Sequence, residues 1–336
     1  MRIGIITPAP PSSLAGNRRT ALRWAGLLRQ LGHRVVISQN YVDQPFDVLV
    51  ALHAKLSYDS INRFHRMHPH RPLIVALTGT DLYRDLRRSG QAQASLEMAT
   101  RLIVLQSKAL DDLPERFHHK TRIVYQSVAS AVAPAQLSNG YSQTVAPTQR
   151  SYPKSQISDF RVCVIGHLRA VKDPFRAAMA SRLLPATSRI KIIQVGKALG
   201  ERIAVSARRE MHLNPRYHWV GEQSPKRALE ILRSSQLCVN SSRMEGGANS
   251  VSEAIAAGIP VIASRVPGNL GLLGENYPGY FPAGDAEALA RLLFRAETDE
   301  QFLAQLKLAG QNLAGKFLPE QELGAWRNLL AELFAV

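Results

Sequence analysis

The chain has 336 residues, two cysteines, and 42 Lys+Arg against 26 Asp+Glu, for a formal net charge of +16. At roughly 150 residues per domain this is enough for about two cores, and a hydrophobic content of 45% excludes a chain that is mainly disordered. No run reaches the ~18 apolar residues of a membrane helix, and so few cysteines exclude a disulfide scaffold and fit a reducing compartment.

The opening apolar stretch, Ile3-Gly4-Ile5-Ile6, is too short for a secretory leader. A cytoplasmic protein with no membrane insertion is therefore expected. In chain order, short β-branched runs alternate with helical segments. Ile3–Thr7, Arg34–Ser38, Asp47–Ala51, Leu73–Leu77, Leu102–Leu105 and Arg122–Tyr125 read as strands. Between the first two, Thr20–Leu31 places Leu22, Ala25, Leu27, Leu28 and Leu31 at helical spacing and stops at Gly32. Such alternation predicts an α/β fold with a parallel sheet and helices on both faces.

The pattern breaks at residues 129–158, which are rich in Ala, Ser, Pro, Gln and Thr and contain no acidic residue. That segment reads as a linker or mobile loop. Alternation resumes with strands at Arg161–Ile165, Ile190–Val195, Tyr217–Val220, Leu237–Asn240 and Ile259–Ala263. Helices follow at Asp285–Ala296, Glu300–Ala314 and Glu320–Phe334. The reading is of two domains, 1–158 and 159–316, with a last segment, 317–336. A ligand is expected in the cleft between two such sheets, at the carboxyl ends of the strands. Cys163 and Cys238 each sit in an apolar strand run and are expected to be buried and structural.

The charge is uneven. Residues 1–160 carry 20 basic and 10 acidic residues, 161–276 carry 17 and 8, and the last 60 carry 5 and 8. A basic body suggests an anionic partner: nucleic acid, a membrane face or a phosphorylated small molecule. The densest runs, Arg18-Arg19, Arg87-Arg88 and Arg208-Arg209, are only doublets, and aromatics make up 7%, which argues against nucleic acid. An ordinary solvated basic surface is the competing explanation.

Chemistry concentrates in Ser241-Ser242-Arg243-Met244-Glu245-Gly246-Gly247-Ala248-Asn249-Ser250-Val251-Ser252-Glu253, which runs from a strand through a glycine pair into a helix starting near Asn249. Backbone amides at a helix N-terminus hold anions, and paired glycines let phosphate approach the chain. Glu253, in the first turn, would repel phosphate and is expected to accept from ribose hydroxyls; complementing the helix dipole is the plainer role for it. Glu245 would face the far side of the phosphates, where a sugar would sit.

This segment, with Gly258-Ile259-Pro260-Val261-Ile262-Ala263 after it, resembles the GT-B glycosyltransferases of the glycogen-synthase and sucrose-synthase type, whose nucleotide-sugar site carries two glutamates separated by seven residues. The resemblance implies two Rossmann-like domains facing each other across a cleft: an N-terminal acceptor domain, a C-terminal nucleotide-sugar domain and a last helix, within 317–336, crossing back to the first domain. It implies that Glu245, Gly246 and Gly247 contact the donor sugar, that the amides of Asn249, Ser250 and Val251 hold the diphosphate, that Glu253 binds ribose, and that Ala248 is among the donor-binding residues. Val164-Ile165-Gly166-His167-Leu168-Arg169-Ala170-Val171-Lys172 resembles the family's glycine-ended strand followed by basic residues. Gly166 would then line the donor site, while Arg169 and Lys172 neutralise the leaving diphosphate. Catalysis would rest on Glu245, Arg169 and Lys172. His167 reads equally as a loop histidine or a ligand contact.

Thr7-Pro8-Ala9-Pro10-Pro11 through Gly16-Asn17-Arg18 resembles the cleft-lining loop after the family's first strand. Two departures stand out: Thr78 replaces the common histidine before Gly79, and Val124-Tyr125-Gln126-Ser127-Val128 stands where Asn-Gly-Val is common. The combination of the 7–11, 21–26, 76–85 and 266–274 segments is similar to the selenosugar synthases of selenoneine biosynthesis. That similarity implies transfer of N-acetylglucosamine from a UDP-sugar to selenophosphate, making a carbon–selenium bond and releasing UDP and phosphate, with no cofactor. Selenophosphate would come from a partner pathway enzyme.

An anionic nucleophile needs a cationic, hydroxyl-lined cradle more than a base, and Gly16, Asn17, Arg18, Arg19, His53, Thr78, Gly79 and Thr80 lie where one would form. His53 is as readily a structural histidine. The His65, His68 and His70 cluster lacks carboxylate or thiolate company and is not expected to hold a metal. The competing functions are an ordinary glycosyltransferase with a lipid or sugar hydroxyl acceptor, and a non-catalytic nucleotide-sugar binding protein.

Overall fold

The structure is a computed structural model and describes residues 1–13, 16–128 and 159–334. Its strands form two six-stranded sheets in which every pairing is parallel. The first contains β1 (Arg2–Ile6), β2 (Arg34–Ser38), β3 (Val48–Leu52), β4 (Leu73–Leu77), β5 (Arg101–Val104) and β6 (Thr121–Ile123), in the order β2-β1-β3-β4-β5-β6. The second contains β7 (Phe160–Ile165), β8 (Ile190–Val195), β9 (Tyr217–Trp219), β10 (Leu237–Asn240), β11 (Val261–Ser264) and β12 (Tyr280–Phe281), in the order β12-β11-β10-β7-β8-β9. Both are doubly wound. Strand order reverses beside β1 in one sheet and between β7 and β10 in the other, so each has a crevice at those carboxyl ends.

The central strands explain the parallel arrangement. Val48–Leu52 and Leu73–Leu77 are buried at every position, because helices cover both faces of the sheet. Around the first sheet lie α1 (Gly16–Gln30), α2 (Tyr58–Met67) and α3 (Gly90–Met98). Around the second lie α4 (Arg176–Arg182), α5 (Glu201–Leu213), α6 (Pro225–Arg233), α7 (Asn249–Ala256), α8 (Pro267–Leu273), α9 (Ala286–Thr298) and α10 (Glu300–Leu313). Among the described residues no helix is long and apolar enough to cross a membrane. Cys163 and Cys238 are buried free thiols on neighbouring strands, and burial pushes the Cys163 thiol up to about 12.

The structure differs from the sequence reading at α1, β11 and β12. α1 begins at Gly16 rather than Thr20, so Gly16, Asn17, Arg18 and Arg19 form its first turn instead of a loop; that turn is polar and leaves no apolar periodicity. β11 begins after Pro260, which has no N–H to give a ladder. β12 has only two residues, too short to read as a strand. The segment 129–158, read as a linker or mobile loop, lies outside the described residues.

The last helix, α11 (Pro319–Phe334), packs on the first domain. Its Trp326 meets Trp24 of α1 edge-on, with ring centroids 5.0 Å apart. Buried Glu322 accepts from Trp24 Nε1 at 2.7 Å, from the Ser127 amide at 2.8 Å and from the Ser127 hydroxyl at 2.5 Å, and pairs with Arg23 at 3.1 Å. Four donors converge on one carboxylate, so removing it leaves all of them unpaired in the interior. Glu322→Ala should destabilise the protein by about 3 kcal/mol in urea unfolding, whereas Glu320→Ala on the exposed side of the same helix should change it by less than about 0.5 kcal/mol.

Candidate active site

The second domain's half of the site is assembled at the reversal between β7 and β10. After β7 the chain passes Gly166 and makes a short turn, Ala170–Lys172, that ends with Asp173 in the left-handed region at φ 43°. The turn is fastened to the loop after β10. Arg243 N–H donates to the Val171 carbonyl at 2.9 Å, the Ser241 hydroxyl reaches the carbonyls of Lys172 (3.2 Å) and Asp173 (3.0 Å), and the Asp173 carboxylate takes Arg176 (3.0 Å) and Arg243 (3.3 Å). The result aims Lys172 Nζ at Glu245 Oε1, 2.5 Å away.

Glu245 is 6% exposed, and the same oxygen also accepts from the Ser242 hydroxyl at 2.6 Å and from Asn240 Nδ2 at 3.2 Å. Burial alone would push this carboxyl up. The Lys172 charge and the three hydrogen bonds outweigh it, and the group sits below its ordinary value. Asn240 and Ser242, which hold the glutamate in place, were not identified from the sequence. The position of Asn240 at the end of a switch-point strand was the available signal.

α7 then begins without a side-chain cap, because its N-cap residue is Ala248. The amides of Val251 and Ser252 return to the Ala248 carbonyl, and those of Ala248, Asn249 and Ser250 have no acceptor among the described residues. Three unanswered N–H groups at the positive end of a helix are suited to an anion. Glu253 is the fifth residue of the helix, so it sits at the start of the second turn rather than in the first. Arg169 is exposed, with no side-chain partner among the described residues. The Lys197 amide donates to His167 Nδ1 at 3.2 Å.

The first domain presents a loop built around one carboxylate. Asp81 is fully buried and accepts from the amides of Thr78 (3.0 Å), Gly79 (2.8 Å) and Ala54 (3.1 Å). This ties Thr78-Gly79-Thr80 to the end of β3. Asp81 lay inside the Thr-Gly-Thr-Asp-Leu segment without being singled out. Gly79 has φ 143°, outside the range of other residues. His53, at the end of β3, is 4% exposed and holds φ 74°, an uncommon conformation for histidine.

The two loops touch. A Cβ on Gly246 would lie 2.2 Å from the Thr78 carbonyl oxygen, so only glycine permits the approach. Other contacts span the cleft: Arg19 of α1 pairs with Glu253 of α7, and Lys108 pairs with Glu275 at 2.5 Å. The structure thus joins Arg19 and Glu253, two residues expected to serve different ligands. Arg18, beside Arg19, has no partner among the described residues, and its Nε is buried. Asn17 and Gly16 share that first turn. Among the described residues no three His, Cys, Asp or Glu side chains gather as a metal site; His68 of the histidine cluster instead contacts the Tyr41 hydroxyl at 3.0 Å. The crevice beside Gly166, Lys172, Asn240 and Ser242 measures about 10 Å³, room for one water.

Residues 148–313 match the family model described as "Glycosyl transferases group 1". No curated protein matches the chain in sequence. In structure the chain is similar to sucrose-phosphate synthase from Thermosynechococcus elongatus, with a TM-score of 0.77 and 16% identity over 99% of both chains. It is similar to HepE of Anabaena, crystallised with UDP and glucose, with a TM-score of 0.73 and 15% identity over 99% of this chain and 100% of HepE. It is also similar to the pneumococcal O-GlcNAc transferase GtfA, crystallised with UDP and GlcNAc, with a TM-score of 0.63 and 16% identity over 86% of this chain and 57% of GtfA. The fold is GT-B.

Because the folded value of Glu245 lies below its unfolded one, its ionised form stabilises the fold above the ordinary carboxylate range, and that contribution is withdrawn as pH falls through the lowered value. Lys172→Met, which strands the carboxylate, should lower unfolding stability by about 3 kcal/mol at pH 7, with the deficit already shrinking above the ordinary value of 4.5, because burial without Lys172 raises the carboxyl and it takes up a proton there. Adding Glu245→Gln should recover part of the loss at pH 7.

Proposed function

We propose that the chain is a GT-B glycosyltransferase acting as a selenosugar synthase, which transfers N-acetylglucosamine from UDP-N-acetylglucosamine to selenophosphate. The observation that carries the transferase reading is the Lys172–Glu245 pair set beside the uncapped start of α7 and directly opposite Thr78–Gly79. A diphosphate on the amides of Ala248, Asn249 and Ser250 would lie between that helix and the basic residues Lys172 and Arg169. Charge building on the departing UDP would be met by fixed dipoles and cations, which need no reorganisation. Gly166, Gly246 and Gly247 complete the donor side, and Glu253 takes the ribose hydroxyls once Arg19 releases it; Val251, expected to hold the diphosphate, is instead buried with its amide on the Ala248 carbonyl.

The acceptor assignment rests on the opposite wall and on the resemblance of the 76–85 and 266–274 segments to selenosugar synthases. A hydroxyl acceptor profits from a free base. Here Asp81 is filled by backbone amides, Asp85 is paired with Arg84, and both ring nitrogens of His53 are engaged. An acceptor that is already ionised needs none of them. It needs donors: Arg18 and the first-turn amides of α1 around Gly16 and Asn17, with Thr78, Gly79 and Thr80 facing them.

In the proposed reaction the anomeric C–O bond breaks, and its electron pair leaves on the β-phosphate oxygen of UDP. A selenium lone pair forms the C–Se bond. Water then takes the phosphoryl group from selenium, releasing phosphate and leaving the selenol. Holding the two substrates together supplies most of the rate. No cofactor is required, and a cytoplasmic site with a selenophosphate-producing enzyme as pathway partner fits the reducing chemistry of the acceptor.

The second reading, transfer to a sugar or lipid hydroxyl, is favoured by the structural likeness to sucrose-phosphate synthase. One assay separates the two. UDP release from UDP-N-acetylglucosamine should require selenophosphate or thiophosphate and be absent with inorganic phosphate or no acceptor. Release that depends instead on a hydroxyl acceptor establishes the second reading, and binding of UDP without turnover marks a non-catalytic nucleotide-sugar protein. Arg18→Ala should raise the selenophosphate KM by about tenfold or more, the weight of one charge-assisted hydrogen bond, and leave the KM for the UDP-sugar within about twofold.

A further inference from the structure

His53 occupies a place that neither substrate explains. It is nearly buried, it adopts a left-handed backbone conformation, and its own N–H is fixed to the Ala76 carbonyl at 2.9 Å. A histidine held in that conformation by its surroundings points to a local task.

The ring geometry identifies the task. The Leu56 amide donates to Nδ1 at 3.3 Å. A backbone N–H is always a donor, so Nδ1 carries the lone pair and the ring proton resides on Nε2. Nε2 lies 3.1 Å from the Thr80 hydroxyl and 3.9 Å from Asp85 Oδ2, which is turned toward Arg84. The histidine therefore donates to Thr80 Oγ1. The Thr80 hydroxyl, being the acceptor of that bond, must send its own proton elsewhere, and no acceptor for it exists among the described residues. Thr80 is half-buried and adjoins Gly79, whose backbone is in contact with Gly246 of the donor loop.

We propose that His53 is a positioning residue that locks the Thr80 hydroxyl as a fixed hydrogen-bond donor to an oxyanion of the incoming acceptor, a phosphate-type oxygen. This rests on the reading of Thr78-Gly79-Thr80 as the acceptor wall. His53 itself never touches substrate; it removes the rotational freedom that would let the hydroxyl turn away. Asp81 fixes the loop's backbone, and His53 fixes its side chain.

The test uses steady-state kinetics with selenophosphate and UDP-N-acetylglucosamine, with melting temperature recorded for each variant. Thr80→Val should raise the selenophosphate KM by about tenfold or more while the donor KM stays within about twofold, and Thr80→Ser should recover most of that loss. His53→Asn, which accepts the left-handed backbone but falls short of Thr80, should give the same selective defect. His53→Gln, whose amide reaches as far as Nε2, should recover acceptor binding relative to the asparagine. The double variant His53→Asn/Thr80→Val should be no worse than Thr80→Val alone, because the two side chains act as one unit.

Additive losses in the double variant overturn the proposal. So do equal shifts in both KM values, a glutamine no better than the asparagine, or a Thr80→Val enzyme with unchanged KM. A wild-type protein that releases no UDP with either selenophosphate or thiophosphate overturns the acceptor reading and this inference with it. The kinetics of the wild type and of the variants thus separate the two failures.

Discussion

A lysine and a glutamate held 2.5 Å apart with little water around them are the interaction on which the rest of the cleft depends. Neither charge could be buried alone, since desolvation would shift the group toward its neutral form. Together they can be, but only if the two chain segments that carry them are fixed. The hydrogen bonds between the 170–173 turn and the 241–243 loop exist to that end, and the loop's path sets where Gly246 and α7 begin. The pair thereby aligns three things at once: the glycine that touches the opposite domain, the unanswered amides of α7, and the cation nearest to them.

The opposite wall repeats the principle with a different group. There a buried carboxylate, Asp81, is satisfied by amides rather than by a cation. The amides supply the hydrogen bonds that water would have given, so its oxygens are not left unpaired in the interior. Each domain thus builds its half of the cleft around one buried acid, and the two halves meet through backbone. The Arg19–Glu253 and Lys108–Glu275 pairs add charged contacts between the same two halves.

Much of this was legible in the sequence because burial leaves a simple trace. Strands such as Leu73–Leu77 and Ile190–Val195 fall where their apolar runs begin and end, and α7 starts at Asn249, where the glycine pair hands over to helix-forming residues. The motif from Ser241 to Glu253 could be read because its residue types are needed locally. What escaped was non-local. The first turn of α1 is polar and lacked periodicity, so its arginines read as loop residues. The pairing of Arg19 with Glu253, 234 positions apart, follows from how two domains meet, and nothing in either segment announces it. Asn240, Ser242 and Asp81 were missed for the same reason. Each acts by satisfying another group, and the need for it appears only when that group is seen to be buried.

The formal charge of +16 acquires a narrower meaning in this light. Many arginines are paired at the surface with acidic neighbours, as Arg63 is with Asp43 and Arg208 with Glu201, and such exposed pairs contribute little. The unpaired ones decide the electrostatics of the cleft. Arg18 and Arg169 stand on opposite domains, neither with an anionic partner among the described residues. In the proposed reaction, one such cation on each wall, together with Lys172 and the uncapped start of α7, would face two anions approaching each other. Their mutual repulsion is the main obstacle to bringing a nucleotide-sugar together with a charged nucleophile. Positive charge on both walls would lower that barrier before any bond changes, and a hydroxyl held as a donor, as proposed for Thr80, would add direction where a mobile cation adds only charge.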